Sequence, residues 1–216
     1  AQALRCTGSV QLNGEDIMEI NQDDVDSTMR NLAGVSQDDE LFAPILDSAK
    51  SRSIWLGINL CTALLAAAVI GQFEEVLAQV VALAILMPVV ASMGGIAGSQ
   101  TLTVVIRGMA MGQIGGSNRV WLLNKELWVG AINGVIWAVI MAFIAQLWFQ
   151  DIKISAVIGF AIAINMTAAN VSGISIPLVL KRMNIDPALS ASVILTTVTD
   201  IVGFMSFLGL ASMLIL

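Results

Sequence analysis

Five apolar stretches, each near or above the length that crosses a bilayer, constrain this chain more than any other feature. Residues 54–73 come first, about the ~20 that a helix needs to span a ~30 Å hydrocarbon core. Glu74 and Glu75 interrupt, and residues 76–106 then run without a charge, longer than one straight span requires. This run holds Pro88 and the glycines Gly94, Gly95 and Gly98. Proline removes a backbone donor and glycine admits the close approach of backbone, ion or water, so the second helix is expected to be kinked or broken. Polar residues follow from Arg107 to Glu126, including Gly115, Gly116, Ser117 and Asn118. Residues 127–149 read as a third helix, and a short polar link, 150–153, leads into a fourth at 154–180. The fourth contains Asn165, Asn170 and Pro177 and is closed by Lys181 and Arg182. Asp186, Pro187 and Ala188 read as a helix start, an acid at the N-cap and proline at the first helical position. A fifth helix runs from there to Leu216, so the expected fold is an all-α integral membrane protein of five transmembrane helices.

Composition agrees: 57% of the 216 residues are hydrophobic and only 12% charged, far from the balance of a soluble domain. Ten of the sixteen acids lie in residues 1–50, against the bases Arg5, Arg30 and Lys50. The chain therefore divides into an acidic, water-facing segment, 1–50, and a membrane part, 51–216. It begins with Ala1 and shows no signal-peptide pattern, so it reads as a piece of a longer polypeptide. Lys50, Arg52, Arg107, Arg119, Lys125, Lys181 and Arg182 fall on the N-terminal side of the five spans and only Lys153 on the other. By the positive-inside rule the N-terminus is cytoplasmic and the C-terminus outside. Glu74, Glu75 and Asp151 then gather on the outer face, either as solvated loop charges or as acids that concentrate cations at a pore mouth.

The chain has no histidine and no tyrosine, and Cys6 and Cys61 have neither disulfide nor metal-ligand spacing. The commonest general base and transition-metal ligand are thus absent, and no second acid is read at membrane depth to complete a catalytic pair. An enzyme is not expected.

The residue that carries chemistry is Asp200, in the middle of the last apolar stretch with no base in its helix. A carboxylate at membrane depth is costly unless it meets water, a partner or an ion. It is read as a cation site, with a structural aspartate tying two helices together as the alternative. Thr196, Asp200 and Gly203 fall on one helical face, and Thr199 lies one residue before the acid. A second polar cluster runs from Gly94 through Gly95, Gly98 and Ser99 to Thr101, suited to tight helix packing or to the lining of a hydrated path. Oxygen ligands without sulfur or imidazole favour hard ions. One carboxylate per chain is too few for a dehydrated calcium cage, whereas Mg2+ keeps most of its waters and is held by one or two carboxylates. Two Asp200 side chains across a symmetric homodimer axis would suit it, and a hydrated ion needs a wider pore than five helices enclose.

These motifs resemble one family, the MgtE magnesium channels, related to the animal SLC41 carriers. The resemblance covers the chain from about Asn31 and is carried by Leu32-Ala33-Gly34-Val35, by Pro88 with the GGIAGSQT stretch and Arg107, by Asp186-Pro187-Ala188, and by Thr199-Asp200 with Gly203. It implies a homodimer in a bacterial-type inner (plasma) membrane, a pore at the dimer axis, and hydrated Mg2+ at Asp200, with Ser192 among the neighbours. Family members carry asparagine at the positions of Ile96, Ser99 and Ser192, which differ here. Residues 15–30 resemble the connecting helix that plugs the pore when Mg2+ is plentiful. The family's acids there fall on Ser27 and Thr28, with Asp23, Asp24 and Asp26 just before them, so these and Asp186 are the expected gating or cytoplasmic Mg2+ residues. The family's cytoplasmic regulatory domains, with paired cystathionine-β-synthase-type modules, are expected to lie outside this chain. The expected activity is passive Mg2+ conduction into the cytoplasm; a secondary carrier exchanging Mg2+ for Na+ or H+, since broken helices and a midplane acid also occur in transporters, is the alternative.

Overall fold

The computed structural model describes residues 44–215 apart from 112–113, 115–117 and 186. Asp23, Asp24, Asp26, Asp186 and most of the acidic segment lie outside the described residues. The described chain forms helices α1 (Ile45–Gly71), α2 (Glu74–Gln79), α3 (Val81–Ala110), α4 (Arg119–Phe149), α5 (Ile152–Arg182) and α6 (Pro187–Leu214). All but the six-residue α2 are long and apolar enough to cross a bilayer, so the described fold is all-helical with five such spans.

Three boundaries differ from the sequence reading. α1 starts at Ile45, so the division at residue 50 falls inside a helix. The break near the second span sits at Val80, where the backbone opens to φ −130°, ψ 83°, and not at Pro88 or the glycines. α3 runs unbroken through Pro88, which forfeits only its own bond to the carbonyl one turn back. α4 starts at Arg119, so Arg119, Lys125 and Glu126 belong to a spanning helix and not to a polar loop. The link at residues 150–153 is a tight corner. Gln150 adopts the left-handed conformation (φ 53°) that ends α4, and Asp151 caps α5 by accepting from the Lys153 N–H at 2.8 Å.

α5 is the centre of the bundle, packing against α3, α4 and α6, whereas α1 packs chiefly on α6. The most apolar window of α5 is 61% buried and that of α1 only 6%. α3 and α4 scarcely meet, which leaves a cleft between them with α5 as its floor. Lipid tails are as apolar as leucine, so burial alone does not hold such helices together; close packing and polar contacts do. A Cβ on Gly173 of α5 would come 2.8 Å from the Gly98 carbonyl oxygen of α3, so these two backbones approach more closely than any side chain would allow. Beside that crossing Leu102 and Ile106 of α3 cluster with Leu180 of α5 and Ala191 and Leu195 of α6, while the larger core joins Leu83, Leu86 and Val90 of α3 with Val157, Ile158 and Ile162 of α5 and Phe207 and Leu208 of α6.

Candidate cation site

α6 begins at Pro187 and carries a run of hydroxyls before its acid. Those hydroxyls are spent on their own helix: Thr196 donates to the Ser192 and Val193 carbonyls, Thr197 to Val193, and Thr199 to Thr196. Backbone carbonyls one turn back are the nearest acceptors for a threonine in an apolar helix. Asp200 is half-buried, and its carboxylate makes no hydrogen bond or ion pair to a described residue. Thr196 is exposed and Thr199 fully buried, so the two hydroxyls beside Asp200 lie in different surroundings. Gly203, read as a bare backbone patch, is covered by the Asn165 side chain of α5.

The α3 cluster splits in the same way. Gly94 is closed over by Asn165 and Gly98 by Leu195 of α6, so both are packing positions. Gly95 has open space where a Cβ would be, and Ser99 and Gln100 are exposed. The accessible side of this cluster is therefore Gly95, Ile96, Ser99 and Gln100. Ser192 is half-buried, and its carbonyl is taken by Thr196. Glu74 and Glu75 are exposed on the first turn of α2, where acids complement the helix dipole.

The structure also brings forward residues that the sequence reading passed over. Asn165 is fully buried, donates to the Val90 carbonyl at 2.9 Å, and has no partner for its own oxygen among the described residues. Glu126 is 7% exposed although it lies within a spanning helix, about 10 Å along the axis from Arg119. The sequence reading places it at the end of a polar stretch, whereas here it is packed inside the bundle. Its carboxylate accepts from the Thr101 hydroxyl at 3.2 Å and faces the Lys125 ammonium at 3.3 Å. Thr101 in turn meets Asn170, whose amide is satisfied in one orientation: nitrogen toward Thr101 and the Ala97 carbonyl, oxygen toward the Gly130 N–H. Among the described residues, no three His, Cys, Asp or Glu side chains come together as a metal cluster.

Four apolar spans packed around or beside a central fifth, with a carboxylate in the last that has no partner among the described residues, define a multi-pass membrane protein. A sequence profile of the MgtE family, described as a divalent cation transporter, matches residues 87–210, more than half of the chain. The chain belongs to the MgtE family. It is 28% identical over 198 residues to the magnesium transporter MgtE of Bacillus subtilis (strain 168), covering 92% of this chain and 44% of that one. Identity to the magnesium transporter MgtE of Enterococcus faecalis is 28% over 199 residues, and to that of Thermus thermophilus 26% over 205 residues. The chain spans less than half the length of the curated relatives it matches.

Proposed function

We propose that this chain is the membrane part of a Mg2+ channel, in which two copies pair so that their Asp200 carboxylates face across a shared axis and hold a largely hydrated Mg2+. One observation carries the reading: a carboxylate at the middle of an apolar helix has no partner among the described residues of its own chain. Left so, it is costly, and a hydrated cation shared with a second copy relieves that cost. Mg2+ is the ion named for the relatives. The inside-negative potential contributes ~2.3 kcal/mol per charge per 100 mV, and twice that for a divalent ion, so inward flux needs no ATP. Basic residues on the side of the α3–α4 connection orient that side to the cytoplasm of a bacterial-type inner membrane, with the C-terminus outside. Glu74 and Glu75 then stand at the outer mouth. The acidic segment, with Asp23, Asp24 and Asp26, serves as a plug answering to cytoplasmic Mg2+ together with regulatory domains of a longer polypeptide.

The test is Mg2+ uptake into liposomes loaded with a Mg2+-sensitive dye, with an imposed inside-negative potential. Asp200→Ala is expected to abolish uptake while intersubunit crosslinking still reports the dimer; wild-type flux in that variant would overturn the site. A carrier exchanging Mg2+ for Na+ or H+ is favoured by one observation, the second buried acid at Glu126. Uptake that continues with no counter-ion gradient excludes it.

A further inference from the structure

Glu126 lines a cavity of about 410 Å3 in the cleft between α3 and α4, floored by Met166 and Asn170 of α5. This place is separate from Asp200, which does not line it. The wall is mixed: Gln100, Thr101, Asn133 and Asn170 are polar, while Val104, Val129 and Trp137 are apolar. A carboxylate offers about four lone-pair positions. Among the described residues Glu126 has two partners, the Thr101 hydroxyl and the Lys125 ammonium. The hydrogen bonds run one way: Asn170 donates to Thr101 and Thr101 donates to Glu126, so the chain ends on the carboxylate and orients it into the cavity. A buried carboxylate is costly unless it is paired. Lys125 pairs with it from the rim; its side chain is 46% exposed and reaches only one oxygen, Oε1.

We propose that this cavity binds a small monovalent cation, Na+, with Glu126 as its anionic ligand and Lys125 as a tethered competitor. Oxygen donors select a hard ion. The charge is decided by the balance: one carboxylate among neutral amides and a hydroxyl cancels one positive charge, and a divalent ion would leave the excess uncompensated beside Val104, Val129 and Trp137. Lys125 already presents one positive charge to this carboxylate, and when it swings into water the free ion takes its place. The site stands on this geometry whether or not Asp200 conducts Mg2+.

The experiment is equilibrium binding of 22Na+ to the purified chain in lipid nanodiscs in choline chloride buffer. Wild type is expected to bind saturably and Glu126→Gln to bind at least tenfold more weakly. Lys125→Met, which removes the competitor and leaves the ligands, is expected to bind severalfold more tightly, a gain that misfolding does not produce. Wild-type affinity in Glu126→Gln, absence of saturable binding in both wild type and Lys125→Met, or displacement of 22Na+ by Mg2+ at lower concentration than by Na+ would each overturn the proposal. Mg2+ flux does not enter the measurement, so its outcome is independent of the channel assignment.

Discussion

Asn165 of α5 donates its amide hydrogen to the Val90 carbonyl of α3 at 2.9 Å, in a slot walled by Gly94 on one side and Gly203 on the other. One polar side chain thus meets three helices at full burial. The slot exists because both glycines lack a Cβ, and the amide fills what would otherwise be a void beside the helix that carries Asp200.

Replacing Asn165 by Ala removes that bond and leaves a cavity at a position with no exposure. Interhelical hydrogen bonds in membranes contribute ~0.6–1.7 kcal/mol, and the lost packing adds to this, so a destabilisation of about 1–3 kcal/mol is expected. Thermal unfolding in detergent micelles measures it. A melting curve that superimposes on wild type would show that the amide does not join the helices.

The glycines make a paired comparison. A Cβ on Gly203 would stand 2.7 Å from the Asn165 nitrogen, whereas a Cβ on Gly95 meets nothing within 4 Å. Gly203→Ala is expected to destabilise by about 1–3 kcal/mol through overpacking. Gly95→Ala is expected to be neutral, or stabilising by up to ~1 kcal/mol through helix propensity. The same unfolding assay ranks them, and equal effects would contradict the packing described for the two faces.

Asp200→Asn keeps the size of the side chain and most of its hydrogen-bonding capacity while removing the charge. If the residue holds a cation, Mg2+ uptake into dye-loaded liposomes falls at least tenfold, as with Asp200→Ala. A structural aspartate would instead leave flux near wild type in the asparagine variant.

Asp151 caps α5 through the Lys153 N–H at 2.8 Å. Asp151→Ala is expected to cost about 1 kcal/mol, and Asp151→Asn, which can still accept that bond, less. Thermal unfolding of the two variants side by side checks the order; equal losses would point to the charge and not to the cap.

The spans and Asp200 were legible in the chain itself because both follow from local quantities. A run of about 20 apolar residues crosses a bilayer whatever its neighbours are, and a carboxylate inside such a run is costly whatever it faces. Glu126 was not legible for the converse reason. It follows Lys125 and closes a polar stretch, so hydropathy marks it as a boundary; only the extension of α4 back to Arg119 and its packing over Thr101 reveal it as buried. Pro88 and the glycines signalled a weak point in the second span, yet the break came at Val80, since one missing donor does not unravel a 30-residue helix. The division of the α3 cluster was decided in three dimensions as well. These helices are apolar on every side, so no polar stripe marks which face packs, and Gly94 and Gly98 differ from Gly95 only in what lies opposite them. Asp200 itself carries both lessons: its cost could be read from its surroundings in the chain, while its lack of a partner among the described residues could be known only once the described helices were in place.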